Sequence, residues 1–219
     1  SKSKGNVVDP LDVADKYGAD TLRTYILFMG DYGASTPWNE NSVRGCKRFL
    51  DRVYRIFEKV TDENLHSLDN PLHKAIKKVS DDIEDMKYNT AIATLMALLN
   101  DFESATTVGK EQYVTFLKLL SPFAPHITEE LWEMLGGEGF LSVSEWPGYD
   151  ESKMVDETVE IGVQVNGKPK DAVELSLDDD EETAVAKAMA LPKIANITAG
   201  KNIVKVIYKP GKILNLIVK

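Results

Sequence analysis

The stretch SPFAPHITEELW, residues 121–132, marks the end of one helix and the beginning of another. Proline has no amide hydrogen and its ring clashes with the preceding turn, so Pro122 and Pro125 interrupt any helix that reaches them. Pro125 suits the first position of a new helix, and Ile127 and Leu131 then recur at helical spacing. The stretch therefore predicts two successive helices rather than a strand.

The residues before this stretch also predict helices. Asp9 followed by Pro10 has the pattern of a helix beginning, and Asp20 is expected to cap the next helix. Apolar side chains recur every three or four positions through most of the chain up to this stretch, with a bend at 86–89. The predicted helices cover residues 10–17, 20–29, 42–60, 71–85, 90–102, 111–120 and 125–135.

The pattern changes after residue 157. Residues 159–165 alternate between apolar and polar, and Asn166-Gly167 is a strong hairpin turn. A partner strand at 168–177, a helix at 183–190 that Pro192 ends, and strands at 203–208 and 213–218 complete the unit. The predicted fold class is therefore mainly α, a helical bundle, followed by a small α+β domain with the order β-β-α-β-β. The predicted domain boundaries are 1–30, 31–157 and 158–219.

Composition narrows the class of protein. The 219 residues are 43% hydrophobic and 28% charged, which is typical of a globular protein, and no apolar run reaches the length of a membrane span. Cys46 is the single cysteine, so the chain cannot form an internal disulfide or a multi-cysteine zinc site. We expect no metal and a cytoplasmic location.

Charge is unevenly distributed along the chain. The net charge of −9 argues at first against a nucleic-acid partner. Residues 183–219, however, hold seven lysines and no acidic residue, so the rest of the chain carries −16. We expect Lys201, Lys205, Lys209 and Lys212, on or beside the last two strands, to contact phosphates.

A second set of cations lies on the long helix predicted at 42–60. Arg44, Arg48, Arg52 and Arg55, with Lys59 after them, are spaced three or four residues apart and so share one face. Two interpretations stay open: an ordinary solvated face with local ion pairs, or a stripe that follows a nucleic-acid backbone.

The beginning of the sequence has a third set. Ser1-Lys2-Ser3-Lys4-Gly5 places two ammonium groups and a flexible backbone together, which suits a loop that binds phosphate. A frayed hydrophilic terminus is the alternative.

Three blocks together resemble motifs of the class I aminoacyl-tRNA synthetases. Ser1-Lys2-Ser3 is similar to the end of the KMSKS signature, GADTLR at 18–23 is similar to the block that follows it, and residues 121–132 are similar to the anticodon-domain signature of the leucine, isoleucine, valine and methionine branch. The bacterial-type leucyl enzymes are the most similar. The resemblance implies a C-terminal fragment that begins inside KMSKS, with a bundle of the anticodon-binding type.

What this resemblance implies about function is concrete. The parent enzyme would attach leucine to tRNA(Leu) through an ATP-dependent leucyl-adenylate, with ATP and Mg²⁺ as cofactors. Lys2 would be the catalytic residue, and Ser1, Lys2 and Ser3 would contact ATP. The fragment alone would be inactive, bind no cofactor, and bind tRNA(Leu) as a monomer without contacting a membrane.

Two alternatives remain. An isoleucyl-type or valyl-type fragment is less favoured, because those enzymes often end in a cysteine-rich zinc module or a coiled coil, and this sequence has one cysteine and no heptad run. A non-catalytic helical scaffold for protein partners is the other.

Overall fold

The structure is a computed structural model that describes residues 7–30, 36–63, 65–155 and 158–219. The chain divides into two units, Ser1–Met154 and Val155–Lys219, which we call the helical unit and the sheet unit. The domain boundaries predicted from the sequence, 1–30, 31–157 and 158–219, remain predictions.

Helices with apolar faces follow one another along the helical unit. A short parallel pair of strands, β1 with β2, lies between them. The bounds are α1 (Pro10–Tyr17), α2 (Ala19–Phe28), α3 (Glu40–Ile56), β1 (Val60–Thr61), α4 (Asp69–Glu84), α5 (Tyr88–Ser104), β2 (Val108–Gly109), α6 (Lys110–Leu120) and α7 (Pro125–Met134).

The main core of the helical unit is formed by α3 to α7. Phe102, Phe116 and Tyr113 are among its largest fully buried side chains. The Tyr113 hydroxyl donates a hydrogen bond of 2.8 Å to the carbonyl oxygen of Val53, so this buried polar group is satisfied. Burial of each large apolar side chain contributes roughly 1.5–3 kcal/mol, which makes this core the main source of the unit's stability.

A smaller core lies where α1 and α2 pack on the first half of α3. It contains Val13, Tyr25, Val43 and Cys46. Burial raises the pKa of the Cys46 thiol to about 11, so the side chain stays neutral and unreactive at ordinary pH. Cys46 is therefore a small buried residue of this core.

The segment after α7 returns along α4. The Trp146 indole donates to the Ser80 hydroxyl oxygen at 2.8 Å, and the Asp150 amide donates to Nδ1 of His73 at 3.0 Å. These contacts fix the segment on the bundle.

The sheet unit contains a four-stranded sheet of order β4-β3-β6-β5. β3 is antiparallel to β4 and parallel to β6, while β5 is antiparallel to β6. The bounds are β3 (Thr158–Val165), β4 (Lys168–Ser176), α8 (Glu181–Met189), α9 (Pro192–Thr198), β5 (Ile203–Lys209) and β6 (Ile213–Val218).

One face of this sheet forms the second unit's core. Val163, Leu175, Leu214 and Leu216 are fully buried beneath α8 and α9, together with Ile194 of α9. Because side chains alternate along a strand, the residues between them lie on the opposite face of the sheet.

The predicted fold class, a mainly helical bundle followed by a small α+β domain, is confirmed. One detail was wrong: Pro192 does not only end a helix but is the first residue of α9. Proline at this position sacrifices no hydrogen bond, because the first amides of a helix have no partner within it. No helix in the described ranges is both long and apolar enough to span a membrane.

Candidate nucleic-acid interface

The four arginines predicted to form a stripe all lie on α3, but their surroundings differ. Arg44, Arg48 and Arg55 are exposed, whereas Arg52 is half-buried. Helical spacing therefore placed them correctly on one helix, and their neighbours on other helices decide which of them remain open to solvent.

Arg52 is bound to α5. Its Nε donates to Oε1 of Glu103 at 2.8 Å, and its Nη2 donates to Oε2 at 2.6 Å and to Oδ1 of Asn100 at 2.5 Å. This is the bidentate geometry in which arginine binds carboxylates most strongly. The guanidinium holds the pKa of Glu103 below its ordinary value, although burial acts in the opposite direction. Arg52 thus joins two helices.

Lys59 has a similar role seven residues further on, just after the end of α3. Its ammonium donates to the carbonyl oxygens of Glu103 at 2.5 Å and Ala105 at 2.9 Å. The carbonyls at a helix C-terminus lack partners within the helix, so Lys59 satisfies the end of α5.

Arg44 contacts α1. Its Nε donates to the hydroxyl oxygen of Tyr17 at 3.3 Å, and Oε1 of Glu40 lies 3.8 Å from its Nη2. Glu40 also accepts from Lys16 at 2.7 Å, and that hydrogen bond is the main cause of its lowered pKa. Arg44 is thus part of an exposed network that joins α1 to α3.

Arg48 and Arg55 are the open members of the stripe. Within the described part of the chain, neither makes a hydrogen bond or an ion pair through its side chain, although the charge of Arg55 helps to lower the pKa of Glu103. These two guanidinium groups are available to a partner outside the chain.

The predicted lysines of the sheet unit are all exposed. Lys205 and Lys209 lie on the sheet face away from α8 and α9, because Val206 and Tyr208 between them face the core. Lys212 lies in the turn between β5 and β6. The Lys201 ammonium donates to the carbonyl oxygen of Ile197 at 3.0 Å, near the end of α9.

Two exposed lysines were missed. Lys168 and Lys170 lie at the beginning of β4, directly after the hairpin turn. Counting charge only from residue 183 onward excluded them, although a run of Lys-Pro-Lys beside Asn166-Gly167 was visible in the sequence.

Two of the three motif blocks meet in the structure. The prediction that Asp20 caps α2 was wrong. α2 begins at Ala19, and Oδ2 of Asp20 accepts a hydrogen bond from the Ile127 amide at 2.7 Å. Its Oδ1 lies 2.7 Å from Nδ1 of His126. Asp20 thus caps α7, because the amides at a helix beginning favour a carboxylate even when it comes from elsewhere in the chain.

Arg23 strengthens this junction. Its Nη2 donates to the carbonyl oxygen of Pro122 at 3.1 Å. His126 is therefore part of a hydrogen-bonded junction between α2 and α7. The described residues contain no cluster of three or more His, Cys, Asp or Glu that could hold a metal ion.

Ser1, Lys2 and Ser3, the predicted catalytic and ATP-contacting residues, lie outside the described residues. Their roles stay predictions.

The helical bundle, its open arginines and a lysine-bearing sheet unit are typical of a nucleic-acid-binding protein. Two sequence families specify the class. The family described as tRNA synthetases class I (I, L, M and V) matches residues 1–65, and the family described as anticodon-binding domain of tRNA ligase matches residues 67–185. The second match covers more than half of the chain, which therefore belongs to the family of anticodon-binding domains of tRNA ligases.

Individual relatives are leucine–tRNA ligases. The chain is 48% identical over 221 residues to the enzyme of Alkaliphilus oremlandii and 46% identical over 226 residues to that of Bdellovibrio bacteriovorus. Both alignments cover the whole chain but only 28% of the relative. The predicted resemblance to leucyl enzymes is confirmed.

A solved structure agrees with this. The chain is similar, with a TM-score of 0.72 and 30% identity, to the crystal structure of the ternary complex of Agrobacterium radiobacter agnB2 LeuRS with tRNA and LeuAMS. The match covers all of this chain and 31% of that one.

Proposed function

We propose that this chain is the tRNA-binding part of a leucine–tRNA ligase, and that it binds tRNA(Leu). The observation that carries the proposal is similarity along its whole length, at 46–48% identity, to leucine–tRNA ligases. The solved relative is a complex that contains tRNA, which supports the same partner.

The contact with tRNA would be made mainly to phosphates. Arg48 and Arg55 on α3, and Lys168, Lys170, Lys205, Lys209 and Lys212 of the sheet unit, are exposed cations with no ion pair among the described residues. Contacts of this kind position a protein on a nucleic acid without reading its bases. The remaining members of the predicted site, Arg44 and Arg52, would act indirectly by holding α3 against α1 and α5.

The test is a titration of the whole chain with tRNA(Leu) transcript at several salt concentrations. Neutralised phosphates release counterions, so log K should fall linearly with log salt, by roughly 0.7–0.9 for each phosphate contact. A variant that lacks residues 155–219 should bind at least about tenfold more weakly at ~0.1 M salt, if several phosphate contacts are lost.

Retained binding with an unchanged salt slope in the truncated variant would exclude the sheet unit from the interface. Absence of salt-dependent binding by the whole chain would refute the proposal and leave a protein-binding scaffold as the better interpretation.

For the parent enzyme we propose ATP-dependent formation of leucyl-adenylate, with Mg²⁺, in the cytoplasm and as a monomer. Lys2 would stabilise the negative charge that grows on the departing pyrophosphate. The support is the KMSKS-like beginning and the class I synthetase match over residues 1–65.

Lys2→Ala tests this role in a full-length ligase that carries the chain. Adenylate formation should fall far more than tRNA affinity, because only the transition state contains the extra charge. Equal losses in the two measurements would argue against it. The chain by itself should show no leucine-dependent exchange of pyrophosphate into ATP.

A further inference from the structure

Six exposed lysines of the sheet unit lie at or beside two ends of the sheet: Lys168, Lys170, Lys201, Lys205, Lys209 and Lys212. The register of β5 on β6 pairs Lys205 with Ile217 and Lys209 with Ile213, so about 13 Å of strand separates the two lysines at ~3.3 Å per residue. Lys205 is near the hairpin turn Asn166-Gly167, because Asn166 bonds to Leu216 and Val218. Lys209 is near the β5–β6 turn, at the other end.

Two groups follow from this register. The first, here called the hairpin rim, comprises Lys168, Lys170, Lys201 and Lys205. Lys168 pairs with Val165 beside the hairpin turn, and Lys201 precedes Asn202, whose backbone pairs with Lys219 after β6. The second group, the turn pair, comprises Lys209 and Lys212.

Acidic residues distinguish the two ends. The run Asp178–Glu182 holds five consecutive carboxylates in the loop after β4 and the first turn of α8. It lies against the β5–β6 turn: the Tyr208 hydroxyl donates to the Asp179 carbonyl oxygen at 3.0 Å, and a Cβ added at Gly211 would lie 3.1 Å from Cδ2 of Leu177. Lys187 neutralises only Asp179, at 2.6 Å.

The turn pair therefore shares its end of the sheet with a net negative charge. At physiological salt the screening length is about 8 Å, so carboxylates at this end repel a phosphate that approaches Lys209 or Lys212. At the hairpin end no run of acids adjoins the lysines in the described sequence: Asp171 follows Lys170, and its carboxylate accepts from the Ala172 amide.

The rim is also held rigidly. Nδ2 of Asn166 donates to the Val218 carbonyl oxygen at 3.2 Å, and the Val218 amide donates back to Oδ1 of Asn166 at 2.9 Å. The Gly167 amide donates to Oδ1 of Asn215 at 3.1 Å. The four strands place the rim lysines across about 14 Å, at ~4.8 Å per strand, which is wide enough for several consecutive phosphates.

We propose that the hairpin rim, and not the β5–β6 turn, is where the sheet unit contacts the phosphate backbone of tRNA. The inference rests on the proposed function and refines it, since the sequence analysis expected Lys201, Lys205, Lys209 and Lys212 alike to contact phosphates. The rim includes Lys168 and Lys170, which the charge count from residue 183 had excluded.

A matched pair of double variants tests the inference. Lys168→Ala with Lys205→Ala removes two exposed charges from the rim, and Lys209→Ala with Lys212→Ala removes two from the turn, so the net charge changes equally. Binding of the full chain to tRNA(Leu) transcript is measured at several salt concentrations. Thermal unfolding of each variant confirms that it is folded.

The rim variant should lose roughly tenfold in affinity and about one unit of salt slope for each directly bound lysine. The turn variant should lose much less. Lys168→Arg with Lys205→Arg should retain the affinity, because the charges remain at the rim.

Equal losses in the two alanine variants, or a larger loss in the turn variant, would overturn the inference. So would wild-type affinity in the rim variant, although salt-dependent binding by the wild type would still support the proposed function. If the wild type itself does not bind tRNA, the proposed function fails and the inference fails with it.

Discussion

The cations of α3 and those of the sheet unit look alike in sequence but behave differently in the structure. On α3, Arg52 is bound by Glu103 and Arg44 contacts Tyr17 and Glu40, and just after α3 the ammonium of Lys59 satisfies the end of α5. At the hairpin rim of the sheet unit, the side chains of Lys168 and Lys205 have no acidic partner among the described residues. Regularly spaced basic side chains therefore stay unpaired only where the neighbouring helices or strands offer no carboxylate or carbonyl oxygen within reach.

The difference follows from how the two units are built. In a bundle each helix has several helical neighbours, whose carboxylates and terminal carbonyls come within reach of a long basic side chain. In the sheet unit the helices cover one face only, and the hairpin end faces solvent. In the helical unit the charges of Arg44 and Arg52 thus join helices and only Arg48 and Arg55 of the four arginines stay open, whereas at the hairpin rim of the sheet unit Lys168 and Lys205 are both open.

The largest effect on stability is expected at Asp20. Asp20→Ala leaves the amide of Ile127 without its acceptor and removes the cap of α7, so the free energy of unfolding should fall by about 1–3 kcal/mol. Urea unfolding measures it. Asp15→Ala, which removes an exposed carboxylate on α1, is the control and should cost less than about 0.5 kcal/mol. Equal losses of unfolding free energy in the two variants would mean that the hydrogen bonds of Asp20 to α7 do not stabilise the fold.

A smaller effect should separate two arginines of the same stripe. Arg52→Ala should lower the free energy of unfolding by about 1 kcal/mol, since the pair with Glu103 is bidentate but partly solvated. Arg48→Ala should leave stability almost unchanged and lower the salt slope of tRNA binding by about one unit, more than Arg52→Ala does. The distinction between paired and open arginines would be wrong if Arg52→Ala had the larger effect on the salt slope of tRNA binding and Arg48→Ala had the larger effect on the free energy of unfolding.

The smallest effect concerns pH. The pKa of Glu103 is lower in the folded protein than in the unfolded chain, so its ion pair stabilises the fold above the unfolded pKa of about 4.3 and loses that contribution as pH falls through the folded pKa. The stability difference between wild type and Arg52→Ala should therefore narrow between about pH 5 and pH 3, by less than about 1 kcal/mol because the pair is partly exposed. Urea titrations at pH 7, 5 and 3.5 measure this, and a constant difference would contradict it.

Local sequence signals were sufficient to predict much of the fold. The hairpin at Asn166-Gly167 forms as predicted, with Asn166 at φ 52° and Gly167 at φ 76°, values that asparagine and glycine tolerate best. The bend predicted at 86–89 coincides with Met86 at φ 58°, between α4 and α5. Each signal concerns only residues close together in the chain.

Long-range partners could not be predicted in the same way. A carboxylate near a helix beginning is expected to cap that helix, yet Asp20 caps α7, more than 100 residues further along the chain. Likewise the spacing of Arg52 gives its position on α3 but not its pairing with Glu103 of α5. The parallel pairing of β3 with β6 has no local signature, so the separation of the lysines into two ends of the sheet was not predictable.

The position of β6 in the sheet has a consequence for synthesis. Of the four strands, β6 comes last in the sequence, yet it lies between β3 and β5 in the sheet. During synthesis β3, β4 and β5 are therefore made before β6. Until β6 is made, the edges of β3 and β5 that pair with it stay unpaired. Open edges of this kind invite pairing with other chains.

A chain that ends before residue 213 would thus leave two strand edges unpaired at once, one on β3 and one on β5. The hairpin alone is at best marginally stable in water. The sheet unit should consequently be the part of this chain that depends most on chaperones during translation, and the first to aggregate when its last strand is lost.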